Sequence, residues 1–585
     1  MRSVLAAILL AAAVPLLGAA PPQAHATTDA SFVQLGRDYL RDLAALHPVQ
    51  ATELGDHSHD SEVENLTAAG RAREAAILRR YLARLGAIPT VGLSRDNQVD
   101  AALLAHELRY RLWSLETLQD WRWNPLAANG AISGGLYGLA ARDFAPWPVR
   151  LRAAIARMEQ APQQYAAMRA SLDRARVPAI YAQTVAQQNA GTVQIAEGML
   201  APHKAELPPA EQARFDRALA GLKAAVAEQQ RWLDTVLVPQ AKGDFRLGPE
   251  LYDQKLALAL NTTLTRPEIK ARAIKAAADT RAQMYAIARR VLPARGFPAQ
   301  PMPAEQQAAI EAALDLTYAT APARDQVLPT TTAAIAQATA FVRAKGLVSV
   351  PGAPVGVIEM PKFRQGVAVA YCDSPGPLER ALPTLVAVSP IPEGWSDAQA
   401  TSFLREYNRY MIQDLAVHEA MPGHYLQLAH ANAATPLRAV LASGSFIEGW
   451  AVYAEQLMAD AGYMADPLFD LTVLKMRLRS ITNTLLDIGV HTEGMTEAQA
   501  MELMTRGAFQ QEREAAGKWT RARLSSVQLL NYFTGYLEHL DLRRAVEARE
   551  GPAFDLKRYN DAVLSHGSPP VRYVRALMLG EKIGG

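Results

Sequence analysis

Apolar residues in the first 345 positions recur at the spacing of helix faces. Arg71 to Leu85, Val149 to Leu172, Pro209 to Leu237 and Arg266 to Val291 each carry an apolar stripe with charged residues opposite. Pro and Gly turns cut the run from about Ser31 to Lys345 into separate helices, and no fixed-period repeat marks it as a solenoid. Near Val348 the texture changes: PVGVIEMP, GVAVAYCDSP and TLVAVSP are short β-branched runs bounded by Pro and Gly, which read as a few strands. Helical periodicity returns at Asp397 and continues to the end. The pattern predicts a mainly α chain with two helical lobes, residues 27–345 and 346–585, that share one cleft. A small sheet opens the second lobe.

The chain has 585 residues, beyond the size at which a single core stops growing, which agrees with more than one lobe. Half the residues are hydrophobic, a fifth are charged and the net charge is +2. That balance gives no electrostatic bias toward nucleic acid or an anionic membrane, and no nucleic-acid motif is present. The beginning reads as a secretory leader: Met1-Arg2, an almost wholly apolar run from Val4 to Leu17, then Ala24-His25-Ala26 as a small-x-small cleavage site. Cleavage after Ala26 would leave a chain starting at Thr27, exported to the periplasm or secreted, with no stable membrane insertion thereafter. Cys372 is the only cysteine. It rules out an intramolecular disulfide, lies far from the leader where a lipid would be attached, and reads as a buried, inert thiol.

The chemistry concentrates in LAVHEAMPGHYLQ, Leu415 to Gln427. The helix leading in places Leu404, Tyr407, Met411, Leu415 and His418 at spacings of three or four, so His418 should point where the apolar side chains point. Glu419 beside it is an acid next to a buried stripe, costly without a task or a cation. His424 supplies a second imidazole, but six residues on rather than the four that put two histidines on one helix face. Pro422 cannot continue the helix, because its ring meets the carbonyl of His418. Either a bulge at Pro422-Gly423 absorbs two residues and returns His424 toward His418, or the helix ends near Met421 and His424 belongs to a loop.

Either geometry could bind zinc, and a catalytic zinc usually takes three protein ligands. Glu448 in SFIEGWAVYAEQL is the best third candidate, being a carboxylate among aromatic neighbours. His430 ranks below it, in what reads as a helix end. Glu455 and Asp414 could orient a histidine from behind, or be ordinary helix carboxylates. The sheet just before this helix could align an extended peptide along an edge strand, or merely cover the core.

HEAMPGH followed by IEGWAVYAE resembles the signature of the bacterial domain-of-unknown-function 885 family, whose members resemble gluzincin zinc peptidases with a widened histidine spacing. ATELGDHSHD near the start and FDLKRYNDAVLSHGSPPVRYV near the end are similar to that family's early turn and closing segment. The resemblance implies a peptidase-like fold holding one zinc ion on His418, His424 and Glu448, Glu419 as general base, and peptides as substrates. His491 in DIGVHTEGM and Tyr532 in SSVQLLNYFTGY are the two candidates for donor to the developing oxyanion. The passage AYCDSPGPLERALPTLVAV is shorter and less aromatic than in the family, a departure that bears on substrate preference.

Arg477 and Arg479 could bind a peptide carboxylate, although a surface role is the simpler reading. His57 and His59 with Asp56 and Asp60 form a metal-like cluster that a turn between helices explains better. Two other functions use the same residues: a secreted helical binding or scaffold protein with a structural or inactive metal site, and a hydrolase of non-peptide amides.

Overall fold

A computed structural model describes residues 22–583 except 354, 361–369, 380, 393 and 432–433. The apolar leader run from Val4 to Leu17 lies outside the described residues, and the expected cleavage site falls within the first helix, Pro22–Leu46. Helices dominate the chain, as the 3.6-residue periodicity requires. Among the described residues no helix is long and apolar enough to cross a membrane.

The three strand signals resolve into β1 (Gly356–Glu359), β2 (Ala370–Asp373) and β3 (Leu385–Val388). Their order is β1-β3-β2, with β1 parallel and β2 antiparallel to β3. Strand β3 takes the centre because LVAV is apolar on both faces, and Val386, Ala387 and Val388 are all buried. Among the described residues strand β2 is therefore an edge. The start of its run, Gly366 to Val369, lies outside the described residues.

The helix expected to lead unbroken into His418 is two helices, Asp397–Glu406 and Arg409–Glu419. Asn408 interrupts it: its side-chain oxygen accepts from the backbone N–H of Tyr410 and Met411 at 3.0 and 3.2 Å, so it caps the second helix. The shared stripe therefore runs only from Met411 to His418. Leu404 and Tyr407 belong to a separate element.

Packing also moves the expected lobe boundary at Lys345. Val327, Ala334, Ala338 and Val342, on the helix Val327–Lys345, share one buried cluster with Val386 and Val388 of the sheet and with Val417, Phe446 and Trp450. A boundary in the chain at Lys345 thus cuts through one core. Earlier helices keep separate cores, one around Leu151, Tyr165 and Phe215 and another around Phe32, Tyr81 and Leu104. Leu437 joins the latter from the far half of the chain, and next to it the Arg438 guanidinium meets the buried Asp100 carboxylate at 2.6 Å. The halves are held together by apolar contact and by a buried ion pair.

One crossing fixes the geometry of the second half. The helices Gly444–Asp460 and Asn531–Glu550 meet backbone to backbone at Gly449 and Gly535. A Cβ on Gly535 would lie 1.8 Å from the Ser445 carbonyl oxygen and 2.9 Å from the Gly449 Cα. Gly535→Ala should force the helices apart and destabilise the protein by about 1–3 kcal/mol or more. Gly221, where an added Cβ meets nothing within 4 Å on an exposed helix face, is the control. Gly221→Ala should stabilise by about 0.5–1 kcal/mol, and urea denaturation of the two variants checks both signs.

Candidate metal centre

The helix Arg409–Glu419 carries its α pattern as far as Ala420 and then shifts register. The Met421 N–H donates to the carbonyl of Ala416, five residues back, at 3.0 Å, and the Gly423 N–H donates to Val417, six back, at 2.9 Å. Leu426 likewise reaches six back to Ala420 at 3.3 Å, after which Gln427 returns to Gly423 with ordinary α spacing at 3.0 Å. A second helix runs His424–Ala431. The chain thus breaks at Pro422-Gly423, keeps a helix on each side and absorbs two extra residues through backbone bonds.

Only glycine fits at the break. A Cβ at Gly423 would lie 1.9 Å from the His418 carbonyl oxygen and 2.4 Å from that of Val417. The Pro422 carbonyl accepts from the Trp450 indole N–H at 2.9 Å, tying the turn to the Gly444–Asp460 helix. His424, the first residue of its helix, returns to His418 with ring centroids 4.7 Å apart and planes nearly perpendicular at 88°.

Glu448 on the Gly444–Asp460 helix completes the set. Its Oε2 lies 3.9 Å from His418 Nε2 and 3.5 Å from His424 Nε2. One donor atom from each of the three residues lies within 4.8 Å of the other two. Tetrahedral ligands about 2.1 Å from a zinc ion stand about 3.4 Å from one another, so the arrangement is close to that of a site that has not contracted round an ion. Burial alone would raise the Glu448 carboxyl, but its bond to His424 and the charges of His424, His418 and Arg521 together lower it, while Glu448 in turn raises His424 against burial. Burial, reinforced by the neighbouring His424, lowers His418.

The histidine tautomer is set from behind. His418 Nδ1 lies 2.6 Å from Glu455 Oε1, so its N–H donates there and the Nε2 lone pair faces Glu448. Asp414 makes no such contact: its fully buried oxygens have no hydrogen-bond partner among the described residues, and no histidine is oriented by it. Burial and the nearby Glu455 push Asp414 well above the carboxylate range, and burial also pushes Glu455 up to about 8. Arg477, expected at the surface, is turned inward with Nε and Nη2 buried, and its charge favours ionisation of both acids. Arg479 is also turned inward, in an ion pair with Glu514.

Glu419 sits outside the three-residue cluster, with Oε2 accepting from the Cys372 backbone N–H of edge strand β2 at 2.9 Å. The Cys372 thiol is pushed up to about 12 by burial and by Glu419, which suits the inert role expected of it. Tyr532 lies one turn before Gly535, at the helix crossing that also holds Glu448 beside Gly449. Its hydroxyl accepts from Arg521 at 3.4 Å, and burial followed by the charge of Glu448 raises its phenol.

The two expected oxyanion donors therefore part company. His491 is buried with Nε2 2.9 and 2.7 Å from the Ala522 and Ser525 carbonyls and with its ring stacked near Tyr252. No contact joins it to the His418 cluster among the described residues. It lies twelve residues along its helix from Arg479, about 18 Å at 1.5 Å per residue. His430 is likewise engaged, 2.7 Å from the Ser349 carbonyl.

The DHSHD turn is a docking device. His57 Nδ1 pairs with Asp60 at 3.0 Å, its ring stacks 3.7 Å from that of Phe144, and Nε2 faces Glu379 at 3.5 Å. His59 pairs locally with Glu62 at 2.9 Å.

A family model described as "Bacterial protein of unknown function (DUF885)" matches residues 48–578. The chain belongs to the DUF885 family. The structure of a "putative lipoprotein of unknown function" from Shewanella oneidensis is 33% identical and superposes with a TM-score of 0.81, covering 94% of this chain and 99% of that one. A "putative lipoprotein" from Colwellia psychrerythraea shares the fold at 19% identity, with a TM-score of 0.77 and the same coverage of 94% and 99%. No curated protein matches the chain.

Glu455→Gln keeps the shape but removes the carboxyl group that meets His418 Nδ1. Zinc affinity, measured by competition with a chromophoric chelator, should fall about 10–100-fold. Unchanged affinity would remove Glu455 from the site.

Proposed function

We propose that the protein is an exported zinc-dependent metallopeptidase, on the strength of one observation. A register shift brings two histidines and a glutamate together next to a second glutamate held by a strand edge. The donor set suits zinc, and three protein ligands leave a position open, whereas structural zinc sites are usually closed by four. The side chains of His418, His424 and Glu448 remain 15%, 11% and 23% exposed, which permits a substrate to approach. Export follows from the leader-like start, and it agrees with the description of the two similar structures as lipoproteins.

Zinc bound at His418, His424 and Glu448 would polarise the scissile carbonyl and lower the pKa of the attacking water toward neutrality. Glu419 takes the proton from that water and passes it to the leaving amine. The Cys372 N–H holds one of its oxygens, fixing the carboxylate while the other oxygen handles the proton. Tyr532 is the better candidate for oxyanion donor: its phenol responds to Glu448, whereas His491 is committed to backbone carbonyls. In an antiparallel ladder the N–H and C=O of one residue lie on the same side, so the Cys372 carbonyl also faces out from β2 and can pair with an extended peptide.

Metal analysis of the purified protein should find near one zinc per chain, lost in His418→Ala and kept in Glu419→Gln, with peptide hydrolysis abolished in both. A wild-type protein that binds no zinc would overturn the proposal. Stripping the metal with a chelator should also lower the midpoint of thermal unfolding, because zinc binds only the folded state, and adding zinc back should restore it.

A further inference from the structure

A row of cations stands beside Glu448 without enough carboxylates to balance it. Glu514, Lys518 and Arg521 occupy positions i, i+4 and i+7 of the helix Glu512–Leu524 and so share one face. The ion pair between Glu514 and Arg479 turns that face toward the helix Pro467–Thr492. At its other end, Arg521 reaches Gln528 at 2.8 Å and the Tyr532 hydroxyl at 3.4 Å. Two cations in this region are matched: Lys475 meets both oxygens of Glu406 at 2.9 Å, and Arg479 has Glu514.

Lys518 and Arg521 are unmatched. Neither has a carboxylate partner among the described residues, although Lys518 is only 8% exposed. An unpaired ammonium that deeply buried is costly unless an anion arrives to meet it. Burial, with the charges of Arg479 and Arg521, holds Lys518 well below the usual lysine range against the pull of Glu514 and Glu448. An arriving carboxylate would favour its charged form, and Glu448 in turn responds to Arg521. The two free cations and the centre are thus within electrostatic reach of each other.

We propose that Lys518 and Arg521 receive the free C-terminal carboxylate of a peptide whose scissile bond lies at His418, His424 and Glu448, so that the enzyme trims peptides from the carboxyl end. The assignment rests on the peptidase reading above and adds to it which end is recognised. A carboxylate anchored this close to the centre limits cleavage to bonds near that end. Internal bonds of a long chain would leave both cations unmatched.

The test uses the zinc-loaded protein and three peptides of otherwise identical sequence: a free acid, its C-terminal amide, and an amide ending in Glu. The free acid should be cleaved near its carboxyl end at least about tenfold faster than the amide, the size of effect a charge-assisted hydrogen bond supplies. The amide ending in Glu should be as slow as the plain amide. Equal rates for acid and amide, or a Glu-amide cut as fast as the acid, would overturn the assignment, the latter in favour of a side-chain carboxylate.

Arg521→Ala, at an exposed position, and Lys518→Met, which keeps the volume, should each shrink the ratio between acid and amide while zinc content stays at one per chain. If Lys518→Met fails to fold, Arg521→Ala still decides. Calorimetric binding of the same peptides to Glu419→Gln separates the two levels of the reading. Preferential binding of the acid with no hydrolysis by the wild type would sink the peptidase and keep the carboxylate site. Hydrolysis of acid and amide alike at internal bonds would do the reverse.

Discussion

The centre depends on one backbone hydrogen bond, from the Gly423 N–H across six residues to the Val417 carbonyl. An α-helix spends each N–H on the carbonyl four residues back, so two histidines six apart face different directions. By sending Met421 five back and Gly423 and Leu426 six back, the chain hides two residues in a turn without leaving these donors unpaired. The turn admits no side chain at Gly423, and Trp450 takes the spare carbonyl of Pro422. Because Trp450 lies on the helix that carries Glu448, the contact that secures the turn also sets the third donor against the first two.

Behind the centre the protein buries two acids. Asp414 and Glu455 are both almost fully buried, with the inward Arg477 favouring ionisation of both and Arg479 that of Glu455. Neutralising Asp414 by a proton is the cheaper solution, since an isolated carboxylate away from water costs more than a shifted equilibrium. Glu455, pushed up to about 8 by burial, stands against Nδ1 of His418. On the other side of Glu448, Lys518 and Arg521 have no carboxylate partner among the described residues, so the two sides of the centre differ in kind, acids behind and bases in front.

Much of this was legible in the chain because it rests on local chemistry. Period-3.6 stripes located the helices, β-branched runs bounded by Pro and Gly located the strands, and the proline clash showed that the helix must open before His424. The break at Asn408 was missed because an apolar stripe with good spacing hides a capping residue inside it; the Asn side chain, which competes for backbone N–H, was the signal. His491 was misjudged for a different reason. A buried histidine at a helix end looks the same in sequence whether it faces a substrate or two carbonyls, and only the fold of residues 522–525 decides. The cationic row was half seen: Arg479 stood out by itself, but its pairing with Glu514 and the exposure of Lys518 and Arg521 to Glu448 are long-range facts.

The DHSHD turn shows how far from the centre its geometry is underwritten. His57 faces Glu379, and the Leu378 N–H donates to the Leu54 carbonyl at 2.9 Å, so the early turn grips the loop that follows β2. Gly376 lies so close to the backbone of Glu53 and Leu54 that a Cβ there would come within 2.2 Å of it. Arg142 adds an ion pair to Asp373, the last residue of β2, at 2.8 Å. One residue earlier in the same strand, Cys372 offers its N–H to Glu419. A strand of four residues, paired on one side among the described residues, has little stability of its own, so its position is imposed by what grips its end. The first 150 residues therefore act on the centre through β2, and through it they fix the carboxylate that stands beside His418.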